Sequence, residues 1–443
     1  MIPMGRLLKI RLFRESLIIA VPALFTVAAS NFTTAAYLFW AIFAVFFIRD
    51  LLTSNHYSII FKILTNALLF MIFRQFVFFN ILTMLLLVIL SAEILLYSKR
   101  ERYFRKTNHI YLVAVIIFSV YYLLTFYSTK SYAVNFRIFE FLLVALAIRV
   151  IIRRPRGLKI FAITFATIMT CYCLTILPYA LQYGRLGGVT SQEAIGTSSF
   201  GNPIQIGLSM NIIWFLLPRE DLKIGKRVLL SKSLLMVIKM LAFLFLVMSV
   251  SRIGWLIFSV GNLILVCKSQ LKIGWVVVFT CILTAGLIVL SSTQYVDVVD
   301  AGINRTFGDE RTLTQKTSGR SEQWGLAVDV FERNPEKLWS GFGAGKGSMI
   351  FGKYANYFGI YQGNLDTHWH SLLLQVVVET GLIGGCIVVF WLLWIVIHSS
   401  NLILRGKSGA SIFLISYVLI VFTTSGFDML SGMFLGIGLF INE

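Results

Sequence analysis

The chain has little charge. Asp, Glu, Lys and Arg together make up 13% of its 443 residues. That is well short of what coats a soluble domain. The apolar share is 58% and the mean hydropathy is +0.82, more apolar surface than a soluble core of this length needs. Cysteine is also scarce. Cys171, Cys173, Cys267, Cys281 and Cys386 all lie in or at the ends of apolar runs. Cys171 and Cys173 are two apart, which does not place them on one helix face. This spacing indicates neither a disulfide framework nor a metal site. Tandem repeats, low-complexity tracts and a second soluble domain are all lacking. The first apolar run follows Arg6, Lys9, Arg11 and Arg14 but has no small-residue cleavage site. It reads as a retained helix rather than a removed signal.

What is present is a succession of apolar runs long enough to cross a bilayer core as helices. In lipid, backbone groups must pair within the chain, and helices do this. The expected helix cores are 16–30, 35–48, 57–73, 77–97, 109–127, 137–152, 158–178, 203–217, 233–250, 253–267, 273–291, 371–398, 410–424 and 428–441. Some of these are short, so the expected fold is an all-α polytopic membrane protein of about 12–14 transmembrane helices. Residues 1–443 are expected to form a single integral membrane domain.

The net charge of +19 invites a nucleic-acid reading, but its distribution argues against one. With the N-terminus inside, the inner loops hold 24 Lys and Arg, and the short outer loops hold five: Arg74, Lys130, Arg137, Arg185 and Arg252. That is the asymmetry of cytoplasmic loop anchoring. The long loop, about 292–370, then falls on the extracytoplasmic side. Arg252, in the tight turn Ser249–Arg252, and Arg185, in the loop 179–202, face the same side. Snorkelling at the interface accounts for either arginine alone. A site shared with the long loop accounts for both.

Within that loop, Trp324, Ala327, Val328 and Phe331 recur at helical spacing between Arg320 and Arg333. Ser318 or Gly319 can start this helix, and Asn334-Pro335 ends it. An amphipathic helix on or near the outer membrane face is expected. Gly341, Gly343, Gly345 and Gly347 alternate around Lys346. The order does not match a phosphate-binding P-loop, which needs G-x-x-x-x-G-K-[ST]. Close approach of backbone to a ligand or a neighbouring helix suits it better. Asp366, His368 and His370 also alternate. Local spacing leaves three options for them: metal binding, a structural histidine pair, or acid–base chemistry by a neutral imidazole. Glu379 is an ionisable group in an apolar span, where such groups are costly. It lies about half a turn out of phase with His370. A bond to a neighbouring helix or to the outer loop fits it at least as well as contact with that histidine.

The string His370-Ser371-Leu372-Leu373-Leu374-Gln375-Val376-Val377-Val378-Glu379-Thr380-Gly381-Leu382-Ile383-Gly384 resembles the signature of the O-antigen ligase and polysaccharide polymerase family. Ser318-Gly319-Arg320 with Trp324, Pro335, Gly341-Phe342-Gly343, Ser251-Arg252 and Gly201-Asn202-Pro203 are similar to its other motifs, in order. The resemblance covers about 185–385. It departs at Ser371, where the family usually has Asn.

The resemblance implies metal-independent, inverting glycosyl transfer on the extracytoplasmic face of a bacterial inner membrane, with no cofactor. The donor would be a glycan on undecaprenyl diphosphate and the acceptor a second lipid-linked glycan. A chain-length regulator is compatible as a partner. In these terms His370 is the catalytic base, and Arg252, Arg320 and Arg185 hold the diphosphate. His368, Arg305, Arg311 and Glu379 are supporting candidates. A lipid-linked oligosaccharide transporter is the rival of another class. It would draw on Lys62, Glu93, Glu140, Lys239 and Asp428, but no internal repeat supports it.

Overall fold

The structure is a computed structural model. It describes residues 132–153, 157–183, 203–268, 320–357, 369, 371–423 and 429–441, with single-residue or two-residue gaps at 219, 225–226, 250 and 344, and fragments at 60, 64, 88–90 and 92–94. The expected helices before 132 and at 273–291 lie largely or wholly outside these residues. The described chain is mostly helical and divides into two compact units. One comprises 1–103, 146–299 and 440–443, and the other 104–145 and 300–439.

Two helices bridge the unit boundaries in sequence: α1, Tyr132–Arg153, and α10, Met429–Phe440. In the first unit follow α2, Gly157–Tyr183; α3, Pro203–Leu216; α4, Lys232–Met248; and α5, Arg252–Cys267. The sequence places these helices to within a few residues, because each is an apolar run bounded by polar signals. Ser231 caps α4 by accepting from Leu234 N (3.3 Å), and Ser251 caps α5 by accepting from Gly254 N (3.2 Å). Such caps satisfy backbone donors that the first helical turn leaves unpaired. Arg149, one of the 24 Lys and Arg assigned to the inner loops, is instead buried within α1, with its guanidinium over the Phe440 ring at 4.9 Å.

The basic segment between α3 and α4 departs from the all-α expectation. It forms a small antiparallel hairpin, β1 Leu222–Ile224 with β2 Arg227–Leu230. Alternating Leu, Lys, Ile and Arg, Val, Leu suit a short two-sided ribbon, and no helical period competes there.

α3 packs against both α4 and α5. A Cβ on Gly207 would meet Ser251 Cβ at 2.8 Å, and one on Gly254 would meet Gly207 Cα at 3.2 Å. Asn211 spans this contact, donating through Nδ2 to the carbonyls of Gly207 and Gly254, both at 2.9 Å. Small residues at the crossing and an amide across it are how helices associate where lipid provides no hydrophobic drive.

In the second unit, α6, Arg320–Glu332, occupies the expected amphipathic helix. Its buried face differs from the expected one. Gln323, Leu326, Ala327, Val330 and Phe331 are buried, while Trp324 and Val328 are exposed. Apolar residues surround most of α6, so periodicity alone left the stripe ambiguous. Packing against α7, Gly347–Tyr357, and α8, Leu372–Leu404, selects it. α7 was not anticipated. Its glycine-rich start and mixed composition carry no clear period. α9, Ser408–Thr423, returns along α8. Ser399 and Ser411 join them with a hydroxyl pair at 2.5 Å.

Candidate functional site

The loop helices and the start of α8 share a core of Leu326, Ala327, Val330, Phe331, Ile350, Phe351, Ala355, Trp369, Leu374 and Val378. Trp369 is its largest buried side chain. Its indole N–H donates to the Gly347 carbonyl at 2.9 Å, and its ring meets Phe351 edge-on at 4.9 Å. A buried indole needs such an acceptor. Ser371 then caps α8, its hydroxyl accepting from Leu374 N at 3.4 Å. Serine at this cap is as serviceable as the Asn usual in the family.

Glu379 is fully buried at the other side of Gly347. Its Oε1 accepts from the Gly347 backbone N–H at 3.2 Å and from Gln375 Nε2 at 3.1 Å. Gly347 begins α7, so the carboxyl group occupies a helix N-terminus, a place that suits negative charge. A Cβ on Gly347 would lie 2.7 Å from that oxygen. Gln375 and Glu379 are one helical turn apart on α8, which lets the amide orient the carboxyl group.

The glycine-rich segment docks on a break in α8. Gly381 has φ 68 and ψ −169 inside the helix. The break frees carbonyls before it and amides after it. Phe342 N donates to Val378 O (3.0 Å) and Gly343 N to Glu379 O (2.8 Å). On the far side, Leu382 N donates to Leu338 O (2.8 Å). Gly341 and Gly381 both have positive φ, and a Cβ on either would run into the opposing backbone at Glu379–Thr380 or Trp339. The amides of Gly341, Phe342, Gly343 and Gly347 are therefore spent on protein acceptors. Those four amides are not free to cradle a phosphate.

Among the residues expected to carry chemistry, Arg252 is the first residue of α5, half-buried beside the Ser251 cap. Ser249 shapes the turn before it, its hydroxyl donating to Leu246 O at 2.7 Å and accepting from Ser251 N at 3.3 Å. Arg320 opens α6, and only its backbone is described. Arg185, Arg305, Arg311, His368 and His370 lie outside the described residues. The structure brings Glu379 to Gly347 and Gln375. Arg252 belongs to the first unit, and Arg320 and Glu379 to the second. Sequence reasoning missed the part played by Trp369 and Gln375. The signal for Gln375 was its spacing of four from Glu379.

Residues 237–389, from within α4 to within α8, match the family model described as O-antigen ligase. Over this segment the chain is similar to the O-antigen ligase family. The matched segment contains the Ser251-Arg252 turn, α6, the glycine-rich segment, Trp369, the α8 cap and the Gly381 break. The family supports an enzyme of the glycosyl-transferring ligase or polymerase type, associated with membranes and acting on lipid-linked glycans. No curated protein is similar enough to match the chain.

Proposed function

We propose that this protein is a polymerase of lipid-linked oligosaccharide repeat units. It would build O-antigen, capsular or exopolysaccharide chains on the outer face of the bacterial inner membrane. The observation that supports this reading best is the family match over 237–389, which includes every motif residue from Ser251 to Gly384 quoted above.

In this reading His370 removes the proton from an acceptor hydroxyl as that oxygen attacks the anomeric carbon of the donor glycan. The new glycosidic bond forms as the bond to undecaprenyl diphosphate breaks, with inversion. The departing diphosphate gains charge, and Arg252, Arg320 and Arg185 neutralise it through paired N–H donors. Arg305 and Arg311 are placed by sequence to assist. The activated bond resides in the donor, so neither nucleotide nor metal is required. Trp369 and Ser371 are both anchored, and they flank His370 in the chain.

Purified protein in bilayers, given undecaprenyl-diphosphate-linked repeat units, is expected to yield a ladder of products. His370→Ala, Arg252→Ala and Arg320→Ala are expected to insert normally and yield no ladder. Wild-type ladders from all three variants would overturn these roles. If His368→Ala is inactive and His370→Ala active, the base is His368. The rate is expected to fall on acidification, because a protonated imidazole accepts no proton.

The same family match is equally compatible with a second reading, a ligase that moves finished glycan to lipid A–core or protein. Product of one size on an added lipid A–core acceptor, with no ladder on repeat units alone, identifies the ligase. Translocation without bond formation identifies a transporter.

A further inference from the structure

α8 is 33 residues long. Unbroken, it would span about 50 Å against a hydrocarbon core of about 30 Å. The break at Gly381 divides this length. From Leu382 to Leu404 about 35 Å remains, one crossing at modest tilt.

The surroundings of the helix change at the same residue. Before the break, Leu372, Leu373, Leu374, Val376, Val378, Glu379 and Thr380 are buried, and Leu374 and Val378 belong to the core of the loop helices. After it, Ile383 is 58% exposed and Phe390 71% exposed, and Ile387, Leu393, Ile397 and Leu404 are exposed as well. No Asp, Glu, Lys or Arg occurs from Leu382 to Leu404, and Arg405 and Lys407 follow immediately. An apolar stripe this long, ending in basic residues, is what acyl chains cover.

The glycine-rich segment meets the stripe at its outer end. Trp339 is 64% exposed, and its carbonyl accepts from Ile383 N at 3.5 Å. Indole rings favour the headgroup level, where an apolar body and a polar N–H are both accommodated.

We infer that Gly381 marks the outer boundary of the bilayer, with residues 382–404 in lipid, Trp339 seated among the headgroups, and residues 372–380 standing in the outer module. The partner of this surface is the lipid bilayer itself. Glu379 and Gln375 then lie outside the hydrocarbon, which removes the cost of an ionisable group within the span. The inference rests on the membrane reading of the chain and is independent of the transfer chemistry.

Site-directed nitroxide labelling of the full chain in phospholipid nanodiscs tests it. With the native cysteines replaced, labels are placed singly by Glu336→Cys, Trp339→Cys, Ile383→Cys, Ile387→Cys, Phe390→Cys, Leu393→Cys and Ile397→Cys. Accessibility to oxygen reports lipid, and accessibility to a water-soluble nickel chelate reports water. The ratio is expected to be lowest at position 336, to reach the headgroup value at 339 and 383, and to peak near 393. A peak near 387, the depth profile of an unbroken crossing from Leu372, would overturn the inference. So would a label at 339 in bulk water or at hydrocarbon depth. Hydroxyl-radical footprinting of the unaltered chain in the same discs avoids any cysteine replacement. Oxidation of Trp339 with protection of Phe390 and Leu393 is expected, and protection of Trp339 equal to theirs counts against the boundary.

Discussion

Glu379 shows how one residue acquires its role from its neighbours. Its carboxyl group accepts the first amide of α7 and the Gln375 side-chain amide. Glu379→Gln retains an acceptor for both donors, whereas Glu379→Ala leaves the buried Gly347 N–H unpaired, at a cost of about 1–3 kcal/mol. Thermal unfolding in detergent is expected to show a clearly lower midpoint for Glu379→Ala than for Glu379→Gln. Equal midpoints would mean that this bond contributes nothing. The Ser371 cap gives a second contrast. Ser371→Asn is expected to be close to neutral and Ser371→Ala to lose about 1 kcal/mol, read from the same transitions. In sequence, Glu379 stood out as an ionisable group among apolar residues. Its partner Gly347 is thirty-two positions away, and no local pattern announces such a pairing.

At the scale of elements, the docking of the glycine-rich segment on the broken α8 organises the packing of α6, α7 and the start of α8. The freed carbonyls and amides around Gly381 are paired across it, which is what permits a break in a buried helix. Gly341 and Gly406 allow the contribution of close approach to be separated from that of backbone conformation. Both have positive φ, at 69 and 75. A Cβ on Gly406 meets nothing within 4 Å, while one on Gly341 strikes the Glu379–Thr380 backbone. Gly406→Ala is expected to cost the backbone term alone, about 1–2 kcal/mol. Gly341→Ala is expected to cost more and to loosen the segment, seen as faster proteolysis at 338–346. Similar losses in the two variants would show that the close approach is dispensable. The glycine alternation, visible in sequence, correctly suggested close backbone approach. That the approach is to α8, at a break hidden inside an apolar run, was not visible. Gly381 looks like any other small residue in a membrane helix.

For the whole molecule, the distribution of Lys and Arg is the main guide to orientation. Fusions of a phosphatase that is active only outside, and of a fluorescent protein that matures only inside, test it. Junctions near 103, 225 and 406 are expected to report inside, and junctions within 320–340 outside. A cytoplasmic report from 320–340 would place the proposed active site on the wrong face and exclude the extracytoplasmic reaction. The rule is statistical and depends on short loops, so a long loop such as 292–370 inherits its side from the helices around it.

The sequence by itself determined the helical, apolar character of the chain, the positions of α1 to α5 and α8 to α10 within a few residues, the amphipathic α6, and, through its ordered motifs, the family resemblance that the match over 237–389 supports. These features are local: apolar run length, helical period, caps and short strings. Only the tertiary structure decided which face of α6 is buried, that α7 exists, that α8 is broken, and that Glu379, Gly347 and Trp369 form one bonded series. Those features depend on contacts between residues far apart in the chain. There, packing chooses among local options that the sequence leaves nearly equal in free energy.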